Sequence, residues 1–245
     1  MEDEIAQVLL IAIVGGCASF VQRVSGFGLG IFAMLFLPHI LPTHTDSATI
    51  SCLFSCATST YNAVKYRKNI PFKTILPLLV AAMITIPIAV YFSASVSQDV
   101  FKILLGTVLI ILSVYFLFFS THISVRPTVI NGTVAGAVGG VLNGLFSTGG
   151  PPIVLYLTHA VKDNNIYFAG IQFYFCVTNI YATAMRAVNG LVTLQLIEYA
   201  CIGFVGCLIG DKLGEKVFDK LDSKKLKFII YICMIISGIL MIFNL

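Results

Sequence analysis

Long apolar runs, separated by short polar or basic segments, make up most of the chain. A membrane-spanning helix needs about 20 apolar residues, and six runs approach or reach that length: 46–64, 72–92, 100–119, 167–186, 191–210 and 227–244. Two further apolar regions, 5–40 and 128–161, are too long for one crossing. Strands of a transmembrane barrel are short and alternating, so these unbroken runs predict an all-α, polytopic membrane protein.

Each of the two longer regions is interrupted near its middle by polar residues and glycines. The first interruption is Gln22–Gly28 and the second is Asn143–Pro152. The arms that follow, about 26–40 and 151–161, would extend only about 16–22 Å as helices, less than the ~30 Å hydrocarbon core. Each region is therefore predicted to be a bent helical hairpin with its tip inside the membrane. The pattern leaves open whether the hairpins are re-entrant or fully spanning.

The order of elements repeats along the chain. Ser25–Gly28 corresponds to Ser147–Gly150, 122 positions later, and a polar helix follows each interruption. The chain is thus predicted to be a single transmembrane domain of two repeats, about 1–122 and 126–245. Each repeat would contain one broken hairpin and three transmembrane helices.

Basic residues favour one topology. Cytoplasmic loops of membrane proteins are enriched in Lys and Arg. If each hairpin leaves and returns on the same side, with the N-terminus outside, the basic loops 65–73 and 211–227 both lie in the cytoplasm. A single crossing per hairpin would split these loops between the two sides. The favoured arrangement has an odd number of full crossings per half, so the two repeats are inverted, a recurring plan among transporters with broken helices.

Composition excludes several classes of protein. Hydrophobic residues make up 58% of the chain and charged residues 11%, against about 25% charged in a soluble domain. A soluble globule and a disordered chain are therefore excluded. The acidic start, Met1–Glu4, lacks the basic region of a secretory signal, so the first apolar run is expected to be retained. The expected surroundings are the lipid bilayer of the cytoplasmic membrane.

The interruptions also predict an anion site. A helix that starts after a glycine turn directs free N–H groups and the positive end of its dipole at the break. Two such starts, near Gly26–Gly30 and Gly149–Ile153, would face each other and bind an anion. Pro151 and Pro152 fit the first turn of a helix, where a missing N–H costs nothing. The alternative is that these glycines only permit close helix packing.

Polar side chains beside the breaks complete the candidate site. Arg23 has no acidic neighbour in sequence, which leaves a bound anion or backbone carbonyls as its partner; alternatively it lies at an aqueous rim. Neutral side chains can donate hydrogen bonds to an anion without a counter-ion of their own. The candidate substrate-binding residues are Gln22, Arg23, Ser25, Gly26, Gly28, Asn143, Ser147, Thr148, Gly149, Gly150, Gln172 and Asn179.

Three ionisable residues are candidates for proton coupling. Glu198 lies within an apolar run, and His39 and His159 close the two hairpins at similar positions. The alternative for Glu198 is a pairing with Arg186 or a place near the lipid headgroups, and for the histidines an interfacial position. The sequence contains no nucleotide-binding loop, metal-ligand cluster or catalytic triad pattern. We therefore expect no enzyme activity, no metal, no cofactor and no nucleic-acid partner.

The duplicated glycine-rich break carries a resemblance to a known family. Ser25–Gly28 and its second copy, Ser147–Val154, in a chain of about 245 residues with eight apolar segments, resemble the TauE/SafE sulfite exporter family, also called the toluene sulfonate uptake permease group. The resemblance covers essentially the whole chain. It implies a secondary transporter of sulfite, sulfonates or related organic anions. Phe27 and Leu29 depart from the small residues often found at their places.

The interpretation that follows is a secondary carrier of a small anion, coupled to protons or another gradient. The anion would lie between the two helix breaks, and one half would rock against the other to give alternating access. A passive anion channel and a membrane-embedded protein without transport activity remain as alternatives. The sequence does not specify the substrate, the direction of transport or the oligomeric state.

Overall fold

Helices account for every regular element that the structure describes. The structure is a computed structural model that describes residues 2–119, 125–217 and 223–243, and these contain no strand. In chain order the helices are α1 (Glu2–Ser25), α2 (Leu29–Phe36), α3 (His44–Lys65), α4 (Phe72–Ser95), α5 (Gln98–Val114), α6 (Val129–Phe146), α7 (Gly150–Ala160), α8 (Asn164–Val188), α9 (Leu194–Val217) and α10 (Ser223–Phe243). The all-α prediction is confirmed.

The predicted basic loop 211–227 is shorter than expected, because residues 211–217 continue α9 and residues 223–227 begin α10. Charged residues do not interrupt a helix, so the polar pattern alone overestimated the loop. Residues 218–222 lie outside the described residues.

Side-chain caps start several helices where the apolar runs begin. Thr43 accepts a hydrogen bond from the Asp46 backbone N–H at the start of α3, and Thr128 accepts one from Asn131 at the start of α6. Asp163 accepts from two backbone N–H groups at the start of α8. Each cap satisfies N–H groups that lack a partner within the helix.

Among the described residues, five helices have the length and composition needed to cross a membrane. They are the segments Ala6–Ser25, Phe72–Ser95, Gln98–Phe118, Val129–Phe146 and Leu194–Lys216. Helix α4 shows the expected lipid-facing surface, since four apolar residues at intervals of four are more than half exposed: Leu76, Val80, Ile84 and Ile88. Such a stripe is stable against lipid tails and would be unfavourable in water.

Helices α3 and α8 are long but more polar, and they pack against each other inside the bundle. Their buried polar residues include Ser51, Ser55 and Asn62 on α3 and Gln172 and Asn179 on α8. Neighbouring helices shield both from lipid, because α4 packs on α8 and α9 packs on α3. This position explains how two polar helices can lie within an apolar chain.

Pairs of helices from opposite halves form the rest of the bundle. Helix α1 packs along α9, α6 packs along α4, and α5 packs along α10. Glycines bring the backbones together: a Cβ on Gly206 would lie 2.1 Å from the Ala12 carbonyl oxygen, and one on Gly136 would lie 2.3 Å from that of Leu78. The two halves are therefore interlocked and do not form separate bundles.

Both predicted helix breaks are present. In the first, Gly26 and Gly28 have φ values of 83° and 103°, a left-handed conformation that separates α1 from α2. In the second, Ser147 has a φ of 58° and ends α6 three residues before α7 begins. Helices α2 and α7 have 8 and 11 residues, or about 12 and 16 Å, so both second arms are too short to cross a membrane alone.

Candidate functional site

The two helix breaks meet around one small cavity inside the bundle, here called the central cavity. Its walls come from both breaks, from the starts of α2 and α7, and from α3 and α8; they are Gln22, Gly28, Leu29, Gly30, Ile31, Ser55, Asn143, Ser147, Thr148, Gly149, Gly150, Phe175 and Asn179. The space open to the centre of a water molecule is about 20 Å³. One water needs about 10–15 Å³ by this measure, so the cavity suits one compact group of a few atoms.

Gly30 allows the first hairpin to approach the second break closely. A Cβ at Gly30 would lie only 1.7 Å from the Ser147 carbonyl oxygen. No side chain fits in that space, so the start of α2 and the end of α6 touch through their backbones. This contact brings two segments that are far apart in sequence to the same cavity.

Unpartnered polar atoms surround the cavity. Asn143 Nδ2, Ser147 Oγ and Thr148 Oγ1 are buried cavity-lining atoms without a hydrogen-bond partner. Ser51 Oγ and Gln172 Nε2, also buried, lack a partner as well. A buried polar group without a partner costs about 1–3 kcal/mol. All five of these groups can donate a hydrogen bond, whereas Asn179 Oδ1, also unpartnered on a cavity-lining residue, can only accept one. Because donors outnumber this acceptor, the arrangement suits a ligand that carries several acceptors, such as an oxyanion.

Helix starts add further donors to the same space. Helix α2 begins at the cavity with Leu29, Gly30 and Ile31, and the first N–H groups of a helix have no partner within it. Helix α7 begins at Gly150 and carries Pro151 and Pro152 in its first turn. The positive ends of two helix dipoles therefore lie at the cavity, which favours negative charge there.

Glutamine side chains connect the cavity wall to the helices behind it. Gln22 Nε2 donates to Gln172 Oε1 at 3.5 Å, and Thr58 Oγ1 donates to Gln22 Oε1 at 3.4 Å. Gln172 is fully buried but does not line the cavity. It therefore lies next to the site and positions Gln22, a cavity-lining residue from the other half.

Arg23, Ser25 and Gly26 lie at a different cavity. This second cavity has a volume of about 420 Å³ and is also lined by Tyr66 and Glu215. The Ser25 hydroxyl lies within hydrogen-bond distance of the Val21 and Phe27 carbonyl oxygens, and donation of its one hydrogen to either of them stabilises the turn. These three predicted residues thus flank the first break on the side away from the central cavity.

The partner of Arg23 differs from the one expected from the sequence. Its guanidinium forms an ion pair with Glu215 at 2.9 Å and donates to Tyr66 Oη at 2.9 Å and Asn62 Oδ1 at 3.3 Å. It also lies 5.1 Å from the centre of the Phe168 ring. The acidic partner is 192 positions away in sequence, so sequence proximity could not reveal it.

Arg186 is a buried cation that the sequence suggested only as a possible partner of Glu198. It is fully buried and donates to the carbonyl oxygens of Gly144 at 2.8 Å and Leu145 at 3.2 Å, and to Thr49 Oγ1 at 3.3 Å. Among the described residues no ion pair joins Arg186 to Glu198, which is exposed. The only feature of the sequence that could have indicated this burial is the position of Arg186 at the end of an apolar run.

The three candidates for proton coupling lie away from the central cavity. Glu198 and His39 are exposed, and His159 is partly buried. His159 Nδ1 lies 2.8 Å from the Leu155 carbonyl oxygen in its own helix. Within the described part of the chain, no group of three or more His, Cys, Asp or Glu residues is placed to hold a metal ion.

Comparisons with known proteins identify the family of this chain. The family model described as "Sulfite exporter TauE/SafE" matches residues 11–241. A curated relative from Cupriavidus necator, the "Probable sulfite/organosulfonate exporter TauE", is 25% identical over 215 residues, which cover 82% of this chain and 80% of the relative. No solved structure matches the chain. With nearly its whole length matched by the family model, the chain belongs to the TauE/SafE sulfite exporter family.

Proposed function

We propose that this protein is a secondary transporter that moves sulfite, or another small sulfur-containing or organic anion, across the cytoplasmic membrane. The observation that carries the proposal is the small cavity between the two helix breaks, with unpartnered donors on Asn143, Ser147 and Thr148. An oxyanion would satisfy these donors and remove the cost of burying them. Selectivity would follow, because a ligand with fewer acceptors leaves some of them unpaired.

The packing of the helices supports two inverted repeats within one transmembrane domain. In the proposed correspondence, α1 matches α6 and α4 matches α9. The contact of α1 with α9 then becomes the contact of α6 with α4, and both pairs are observed. Helix α3 matches α8 and α5 matches α10 in the same correspondence. The contact between α3 and α8, and that between α5 and α10, therefore join matching helices of the two repeats. Repeats related in this way, with a site between broken helices, fit transport by alternating access.

Ion pairs support the proposed orientation of the chain. Lys65 and Arg23 both contact Glu215 at 2.9 Å, so the end of α3 and the end of α9 lie at the same end of the bundle. The basic segments that follow these helices would therefore face the same compartment, which the enrichment of Lys and Arg assigns to the cytoplasm. Lipid would surround the exposed apolar faces.

A proton or another ion gradient would drive the transport. Glu198, His39 and His159 remain the candidates for proton coupling. Because Glu198 and His39 are exposed, they would act at the ends of the transport path and not in contact with a substrate in the central cavity. Nothing in the proposed mechanism requires a covalent step, a metal or a cofactor.

Flux in proteoliposomes tests this proposal. Purified protein is reconstituted, and uptake of labelled sulfite is measured with and without a pH gradient, with acetate, sulfate, thiosulfate and sulfoacetate as competitors. We expect saturable, gradient-dependent uptake that only some competitors block. Exchange of internal for external substrate distinguishes a carrier from a channel. Flux that neither saturates nor exchanges would contradict the carrier, and no flux with any of the anions would contradict the proposed substrate class.

A further inference from the structure

Arg186 carries a positive charge that no described acidic residue neutralises. Its side chain is fully buried. It donates to two backbone carbonyls and one hydroxyl, all uncharged, and the Cys52 side chain is a further neighbour. The ion pairs described in the protein involve Glu215 with Arg23 and Lys65, at another part of the bundle. An arginine inside a membrane protein is costly unless it is paired or has a function.

The guanidinium also has unused donors. Arg186 Nε is buried and has no hydrogen-bond partner, although an arginine carries five N–H donors. Bonding the Gly144 and Leu145 carbonyls explains why a donor lies here. It does not require a full positive charge, and it leaves Arg186 Nε without a partner. The charge and the orphan donor are the two features that a function can explain.

Its position connects it to the central cavity. The two carbonyls that Arg186 binds, Gly144 and Leu145, lie between the cavity-lining residues Asn143 and Ser147. Along α8, Arg186 is seven residues from the cavity-lining Asn179, or about 10 Å. The charge is therefore near the cavity without being part of its wall.

The end of α6 shows why a charge is needed there. Helix α6 ends at Phe146, beside the cavity, and the C-terminal end of a helix carries a partial negative charge of about −0.5. That partial charge would repel an anion. Arg186 binds the last turn of α6 and reverses the sign of the local charge. In the other half, the last turn of α1 has Arg23, but Glu215 neutralises it.

We infer that Arg186 provides the uncompensated positive charge that holds a small anion in the central cavity, acting as a positioning residue through the end of α6. The inference rests on the proposed function and adds a specificity-determining residue to it. The electrostatic energy between a remote charge and a ligand is proportional to the charge of the ligand. At an effective dielectric constant of about 20 and a separation of about 10 Å, removal of this charge would weaken binding about tenfold per unit of ligand charge.

The test compares a dianion with a monoanion. Binding of sulfite at alkaline pH, where it is a dianion, and of methanesulfonate, a monoanion, is measured by calorimetry on purified protein at low salt. For Arg186→Gln we expect the affinity for sulfite to fall about a hundredfold and that for methanesulfonate about tenfold. Arg186→Lys keeps the charge. For this variant, the affinity for sulfite divided by the affinity for methanesulfonate should stay within about threefold of the wild-type ratio.

A matched variant separates charge from structure. Thr49→Val removes an acceptor of Arg186 and leaves its charge in place, so the ratio should not change even if the melting temperature falls. Equal losses of affinity for both anions in Arg186→Gln would overturn the inference and indicate a structural role.

If Arg186→Gln does not fold, the test rests on Arg186→Lys. A changed ratio of the two affinities in this variant, despite the retained charge, would contradict an electrostatic role. A wild type that binds neither anion overturns both this inference and the proposed function.

Discussion

Several side chains at the central cavity are neutral hydrogen-bond donors. Their burial determines how much free energy they would gain by binding an anion. Asn143, Ser147 and Thr148 are at most 5% exposed, and each has a polar atom without a partner. In water such donors would gain little from an anion, because they would give up equally good bonds to water. Inside the protein, an oxyanion that accepts from these donors would supply the partners that the neighbouring side chains do not, which is the basis of the proposed binding.

Thr148→Val tests this at one residue. Valine has nearly the same shape but no hydroxyl, so we expect the affinity for sulfite to fall about tenfold, as for a hydrogen bond to a charged group. The melting temperature without ligand should stay equal or rise, because an unsatisfied buried group is removed. Calorimetry and thermal unfolding in detergent measure both effects.

The matched control is Thr178→Val. Thr178 is equally buried, but its hydroxyl already donates to the Tyr174 carbonyl oxygen at 2.8 Å. Its removal should not change the affinity for sulfite. An unchanged affinity in Thr148→Val would show that this hydroxyl does not contact the anion.

Gly30→Ala tests the contact between the two hairpins. The added Cβ would meet the Ser147 carbonyl oxygen at 1.7 Å, so α2 and the second break must separate. We expect the melting temperature to fall by at least about 4 °C and sulfite binding to be lost. As a control for folding, Gly150→Ala places its Cβ 3.4 Å or more from its neighbours and should be tolerated. A stable Gly30→Ala protein with normal binding would contradict this packing.

At the scale of elements, the polar helices α3 and α8 and the two broken hairpins surround the site, and apolar helices surround them. Helices α1 and α9 pack closely through glycines, and the Glu215 carboxylate on α9 binds Arg23 on α1 and Lys65 on α3. One acidic residue thus joins three helices at one end of the bundle. Asp211, buried one turn before Glu215, accepts from Asn62 at 3.5 Å and adds to this connection.

Glu215→Gln should loosen this end of the bundle. Arg23 is only 8% exposed, and removing the acidic partner of a buried charge is more costly than removing a surface ion pair. We expect the melting temperature to fall by several degrees, which corresponds to a loss of about 1–3 kcal/mol in the free energy of unfolding. Glu198→Gln is the control, since Glu198 is an exposed acid on the same helix. Equal effects of the two substitutions would contradict the role of Glu215.

At the scale of the whole molecule, the arrangement of charges and helices predicts which end of the bundle faces which side of the membrane. The turn after α3 and the end of α9 lie at one end of the bundle, as the ion pairs of Glu215 require. The turn between α8 and α9 is at the other end of α9. The two ends should therefore be accessible from opposite sides of the membrane.

Cysteine labelling in intact cells tests this topology. In a background without the seven native cysteines, Asn69→Cys and Lys216→Cys should react with an impermeant maleimide only after the cells are opened. Gly190→Cys should react in intact cells. All three positions are exposed, so access to the reagent depends on the side of the membrane. Labelling of Asn69→Cys and Lys216→Cys from different sides would rule out the inverted-repeat topology.

The sequence predicted the helices and the two breaks because these depend on local properties. Apolar length determines which segments enter the membrane, and the glycines at 26 and 28 permit the left-handed backbone of the first break. It also predicted eight residues that line the central cavity: Gln22, Gly28, Asn143, Ser147, Thr148, Gly149, Gly150 and Asn179. These flank the breaks in sequence or, for Asn179, lie on a polar helix face.

Only the tertiary structure decided which distant groups come together. The pairing of Arg23 with Glu215 and the burial of Arg186 against the end of α6 join residues that are far apart in the chain. A charged residue in an apolar run looks the same in sequence whether its partner is a carboxylate, a backbone carbonyl or lipid headgroups. The packing of the helices determines the partner, and with it the charge of the cavity.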